Sequence, residues 1–146
     1  MDIYKDLYQQ LIIDHNQNPR NFSKLENASH SADGHNPLCG DVITVSLIKR
    51  GGIIEDIAFM GSGCAISKAS ASIMTSTLKG MKVGDAKTLF EKFHTLATTG
   101  ESTNDMGKLS VLAGVHKYPA RVKCATLAWH TFQGAFNNSQ EIIKTE

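Results

Sequence analysis

Only three cysteines occur in the 146 residues, and no two of them form a Cys-x-x-Cys pair. An odd number without paired spacing argues against a disulfide framework and a dithiol redox site, and fits free thiols in a reducing compartment. Charge of one sign is also lacking: 15 Lys and Arg stand against 14 Asp and Glu, a net charge of +1. No global field draws the chain to nucleic acid or an anionic membrane, so any electrostatic partner surface is local. Uninterrupted apolar runs of about 18 residues are absent. The stretch Met1-Asp2-Ile3-Tyr4-Lys5-Asp6 has neither the basic nor the apolar region of a secretion signal. These features predict a cytoplasmic protein. Internal repeats and low-complexity tracts are missing too, and 41% hydrophobic residues supply one core, a single domain over residues 1–146.

What is present is three cysteines, each in a distinctive setting. In Met60-Gly61-Ser62-Gly63-Cys64-Ala65-Ile66-Ser67 the glycines permit close backbone approach, and the free N–H groups of a following helix favour thiolate over thiol. Cys64 is a candidate metal ligand or nucleophile, although a single cysteine in a globular chain is more often a buried hydrophobe. Asn36-Pro37-Leu38-Cys39-Gly40-Asp41 offers a soft thiolate and a hard carboxylate two residues apart. On a strand such a pair points the same way, so Cys39 and Asp41 would face one ion if strand geometry begins that early.

Periodicity places these segments. Tyr4, Leu7, Tyr8, Leu11 and Ile12 mark an amphipathic helix from Ile3 to about Asn16, stopped by Asn18-Pro19, with His15 read as a cation beside the last carbonyls. Residues 20–37 are polar, with one short edge strand near Ala28 to Asp33. Val42 to Ile48 alternates, Arg50-Gly51-Gly52 turns, and Ile53 to Met60 returns, a hairpin that brings Cys39 and Cys64 to the same end. A helix follows Cys64 up to Gly80. Another runs from Asp85, its cap, to His94, with Leu89, Phe90 and Phe93 inward.

Ala97 to Met106 reads as an exposed loop, flanked by His94 and His116 as surface or packing residues, and a short helix ended by Gly114 carries Leu109, Val111, Leu112 and Val115. A long helix from Ala120 carries Cys124, Leu127, Ala128, Thr131 and Ala135 on one stripe, with Trp129, Phe132 and Phe136 as packing residues. Periodicity alone favours Cys124 as a core residue. Ser139 to Glu146 reads as a brief amphipathic cap around Ile142 and Ile143. Taken together, Cys39, Asp41, Cys64 and Cys124 supply three sulfurs and one oxygen, a set that suits tetrahedral zinc and tolerates iron.

The segments Cys39-Gly40-Asp41, Gly61-Ser62-Gly63-Cys64 and Lys123-Cys124-Ala125-Thr126-Leu127-Ala128, with the earlier His15 and Asn18-Pro19-Arg20, resemble in order and spacing the U-type iron–sulfur assembly proteins, the SufU/IscU family. The likeness spans essentially the whole chain. It implies an α+β fold, an α/β sandwich in which helices cover a small three-stranded antiparallel sheet and the three cysteines and aspartate converge at one exposed end. The scaffold branch carries a histidine before the third cysteine and a short connection to it. Here Lys123 stands there and the Ala97 to Pro119 segment is long, which points to the SufU-like branch.

That branch implies a Zn²⁺-dependent sulfurtransferase with metal ligands Cys39, Asp41, Cys64 and Cys124, and Cys39 as persulfide acceptor from a SufS-like cysteine desulfurase. The desulfurase is thought to supply a histidine to zinc there. Downstream iron–sulfur assembly components would receive the sulfur. Arg121 matches an arginine of that branch and would stabilise an anionic ligand or incoming thiolate, and Lys117, Arg121 and Lys123 would help docking. The alternatives are a scaffold that builds a [2Fe–2S] cluster on the same donors and a non-catalytic structural zinc module.

Overall fold

Strong alternation in the central hairpin sets the architecture. The computed structural model describes residues 3–101, 106–138 and 141–145, with side chains of the first helix from residue 9 onward. Strands β1 (His30–Asn36), β2 (Asp41–Arg50) and β3 (Ile53–Ser62) form successive antiparallel pairs. Ile43, Val45 and Leu47 of β2 and Ile54, Ile57 and Phe59 of β3 are buried. Helices α2 (Ala65–Leu78) and α4 (Pro119–Phe136) lie against the sheet, α2 on β3 and α4 on β1 and β2. Helix α1 (Ile3–Gln17) packs on α2, and α3 (Val83–Thr99) joins α4 through Phe93, stacked on Trp129 with centroids 4.5 Å apart. Trp129 and Phe132 are core residues as expected. Of the first-helix residues named above, Tyr4, Leu7 and Tyr8 have side chains outside the described residues. No helix among those described is long and apolar enough to cross a membrane.

The sheet is four-stranded and mixed, not three-stranded and antiparallel. A short strand, β4 (Ile143–Lys144), pairs in parallel with β1, giving the order β3-β2-β1-β4. The expected helical cap is therefore a strand, with Ser139, Gln140 and Glu146 outside the described residues. β1 runs two residues later than the polar sequence suggested at its start and three later at its end, and it is internal. Its buried positions are Ala32, Gly34 and Asn36, a small-residue face without an apolar period, because α4 comes close above it. A Cβ on Gly34 would collide with Thr131 Oγ1 and stand 3.2 Å from Leu127 Cδ1.

Three further expectations change. Helix α3 continues to Thr99 because Leu96 and Ala97 are fully buried, and Gly100, at φ +81°, closes it with an N–H to Leu96 O of 2.8 Å. Thr98 and Thr99 give their hydroxyls to the carbonyls of His94 and Thr95, each at 2.7 Å, which is how a Thr-rich stretch remains helical. Asp85 lies in the first turn, and Lys82 is the N-cap with no side-chain bond. Gly114 sits within a 3-10 helix, Gly107–Lys117, instead of ending a shorter one. His15 is 2% exposed, with Nδ1 2.7 Å from Ser72 Oγ, which also accepts Arg20 N–H at 2.8 Å. It joins α1 to α2 as a buried ring and is no surface cation; burial, and then the Arg20 charge, hold its pKa below the usual histidine value.

Two outcomes follow. Gly34→Ala should destabilise the protein by about 2 kcal/mol in denaturant melts, and adding Thr131→Ala should recover part of that loss. Because native His15 resists protonation while the unfolded chain takes up a proton near pH 6.5, it costs nothing above that pH and lowers stability as pH falls below it. His15→Gln should therefore make the acid-side decline of metal-free protein shallower by at most about 1.4 kcal/mol per pH unit, measured by melts from neutral to mildly acidic pH. His130, also held low by burial and by His94, keeps the residual slope above zero.

Candidate metal and thiol centre

The β1–β2 connection is a tight turn, residues 37–40, between the paired residues Asn36 and Asp41. Cys39 is thus on the turn and not on the strand, so alternation along β2 does not aim it. Gly40 at φ +73° reverses the chain in the left-handed region, where side chains are disfavoured, and so Cys39 comes back over Asp41. At the same end of the sheet, Val42 pairs with Ser62, which delivers Gly63 and Cys64 beside the turn. Cys64 is the N-cap of α2, its sulfur accepting Ser67 N–H at 3.4 Å. Cys124, in the second turn of α4, reaches the same place from above and is 3% exposed.

Ligand atoms of Cys39, Asp41 and Cys124 all lie within 4.8 Å of one another. The Cys124 and Cys39 sulfurs are 3.4 Å apart; two sulfurs bound at about 2.3 Å to a tetrahedral ion would stand about 3.8 Å apart. Cys64 borders this trio, its sulfur 3.9 Å from Asp41 Oδ2. Three of the four sequence-predicted donors therefore meet, Cys39, Asp41 and Cys124, with Cys64 beside Asp41, and thiols with one carboxylate are a donor set that suits zinc. Cys39 is exposed, Cys64 half-buried and Cys124 buried.

Asp41 is 1% exposed, and its carboxylate is served from two sides. Cys64 N–H donates to Oδ1 at 2.8 Å and Asn36 Nδ2 donates to Oδ2 at 3.1 Å. A Cβ on Gly63 would strike the carboxylate, so the glycine before Cys64 makes room for the aspartate and not directly for a ligand of the sulfur. The thiols share protons unequally. Hydrogen bonding from Cys124, then the Ser67 backbone, lowers Cys64 to about 7, while its bond to Cys64 and burial push the Cys124 thiol far up. Of this pair, Cys64 is the one that gives up its proton more readily and Cys124 the one that holds it.

Arg121 is exposed, its guanidinium carbon 4.5 Å above the Tyr118 ring, one turn before Cys124 on α4. Lys117 is exposed and Lys123 half-buried. His94 and His116 have partners of other kinds: His94 faces His130, ring centroids 5.7 Å apart, and His116 Nδ1 donates to Ala113 O at 2.7 Å. The residue that sequence reasoning passed over is Asn36, fully buried and bonded to two donors of the cluster. Period-two counting from Ala32 through Gly34 would have turned it inward.

Residues 7–125 match the family model described as the NifU-like N terminal domain. The chain is 43% identical over 129 residues to a protein named zinc-dependent sulfurtransferase SufU from Bacillus subtilis, covering 87% of each. It is 37% identical over 135 residues to a protein named iron-sulfur cluster assembly scaffold protein IscU from Streptococcus pyogenes, covering 91% of this chain and 84% of the relative. A crystal structure described as a SUF-system scaffold protein from Fervidobacterium islandicum superposes with TM-score 0.83 at 31% identity, over 89% of this chain and 96% of that one. The N-terminal NifU-like protein of Brucella abortus, TM-score 0.84 at 20% identity over 95% and 98%, shares the fold. With the family model spanning most of its length and SufU and IscU proteins among its relatives, the chain belongs to the NifU-like N-terminal domain family.

Proposed function

We propose that this protein is a zinc-dependent sulfurtransferase of iron–sulfur cluster biogenesis that takes persulfide sulfur from a SufS-like cysteine desulfurase onto Cys39 and passes it to downstream assembly components. The observation that carries the reading is the meeting of Cys39 and Cys124 with the buried Asp41 carboxylate, Cys64 beside it, in which only one of the thiols, Cys39, lies on an exposed turn. The Bacillus subtilis relative bears the corresponding name. Cys39, Asp41, Cys64 and Cys124 would hold the ion. When bound, zinc keeps the thiols deprotonated near neutral pH and damps their nucleophilicity. A reducing cytoplasm suits working groups that are thiols.

Cys64 is anchored as a helix cap and Cys124 within a helix, so Cys39 on its turn is the sulfur that can swing outward. Its thiolate attacks the terminal sulfur of the desulfurase persulfide. A sulfur–sulfur bond forms at Cys39, the donor's sulfur–sulfur bond breaks, and the donor cysteine leaves as thiolate. The oxidised sulfur changes hands without any external oxidant. Arg121, exposed one turn before Cys124, stabilises the negative charge of the incoming or outgoing sulfur in this scheme, and Lys117 and Lys123 add local positive charge for docking.

The scaffold reading uses the same donors and is favoured by the name of the Streptococcus relative. Turnover separates the two. Zinc-loaded protein incubated with a SufS-like desulfurase and cysteine should raise alanine formation well above the desulfurase alone and carry one extra sulfur on the Cys39 peptide by mass spectrometry. Cys39→Ala should return alanine formation to background while the fold survives. A scaffold would instead gather a [2Fe–2S] chromophore without stimulating the desulfurase, and a structural zinc module would lose its fold in Cys39→Ala. Persulfide located on Cys64 or Cys124 would also refute the assignment. Stripping zinc with a chelator should lower the thermal midpoint by about 5–10 °C, read by calorimetry.

A further inference from the structure

The three sulfurs differ in what donates to them. Cys64 accepts Ser67 N–H at 3.4 Å, and Cys124 accepts the side-chain amide Nδ2 of Asn36 at 3.4 Å. Among the described residues, Cys39 receives no N–H; its neighbour is the Cys124 thiol. Asn36 closes β1, is 0% exposed, and places the same nitrogen 3.1 Å from Asp41 Oδ2. One buried amide thus spans the carboxylate and the deepest sulfur. Its orientation is fixed by chemistry, because turning it over would set Oδ1 against the Asp41 carboxylate. Oδ1 has no partner in the structure, a cost that an amide held there for packing alone would not justify.

An N–H given to a thiolate draws charge from the sulfur and holds its direction, the part that outer-shell groups play around bound ions. We propose that Asn36 is a positioning residue that decides which cysteine takes the sulfur: by clasping Cys124 to Asp41 it makes them, with Cys64, the fixed part of the centre and leaves Cys39 as the releasable nucleophile. This rests on the reading of the centre given above.

The test uses full-length zinc-loaded protein, wild type against Asn36→Ala, Asn36→Leu and Asn36→Ser, each first shown by native mass spectrometry to bind one zinc. A brief substoichiometric pulse of iodoacetamide is followed by peptide mapping, and zinc affinity is measured by competition with a chromophoric chelator. Wild type should be labelled on Cys39 in preference to Cys124. The Ala and Leu variants, which lack the N–H but differ in volume, should both lose roughly ten-fold or more of that preference and bind zinc about 10–100-fold more weakly. The Ser variant, which keeps one donor hydrogen, should fall between. Unchanged labelling preference in folded, zinc-bound Ala and Leu variants would overturn the role of Asn36 while leaving the sulfur-acceptor reading intact. Wild type labelled first on Cys124 or Cys64 would overturn both.

Discussion

A carboxylate withdrawn from water has to be met by donors, and Asp41 imposes that demand on this molecule. At 1% exposure it cannot rely on solvent, so the backbone after β3 and the last side chain of β1 both bend toward it. Satisfying Asp41 fixes the separation of the turn that bears Cys39 and the helix start that bears Cys64. It also explains why a glycine precedes Cys64, since any side chain there would occupy the space of the carboxylate. The metal-binding geometry is thus built by an ordinary requirement of burial before any ion is considered.

Helix α2 connects this centre to the remainder of the core through hydroxyl groups. Ser70 donates to Ala125 O at 2.6 Å, tying α2 to the helix of Cys124. Ser72 meets both His15 and Arg20 N–H, and Thr75 accepts from the Asn21 side chain at 3.1 Å, so the segment after α1 is held against the same helix. Small residues let the helices approach closely, and the hydroxyls of Ser70, Ser72 and Thr75 each find a partner, whereas that of Ser67 has none among the described residues. The polar stripe and the sulfur cluster are therefore parts of one rigid unit.

Much of this could be read from residues. The alternation of Ile43, Val45 and Leu47 gave β2, the Gly51-Gly52 turn gave the hairpin, and the hairpin set Cys39 and Cys64 at the same end of the sheet. What escaped was whatever lacked a hydrophobic period or depended on a distant segment. The buried face of β1 is Ala, Gly and Asn, legible only once α4 is known to lie on it. The Thr-rich end of α3 looked like a loop because its hydroxyls satisfy the helix's own carbonyls. His15 looked like a capping cation because the serine that buries it lies 57 positions away in sequence. Cys39 and Asp41 do meet, through a left-handed turn and not through strand alternation.

The two-residue strand β4 also has a topological consequence. It lies along the side of β1 that β2 leaves open, with Thr145 N–H adding a bond to His35 O at 3.1 Å. A bare strand border is a template on which a second molecule can add its own strand, and natural sheets commonly hide such borders. Residues 143–145 thus cover the Gly34–His35 stretch of that border, at the end of β1 that leads into the Cys39 turn, and leave the His30 end of the strand to other protection.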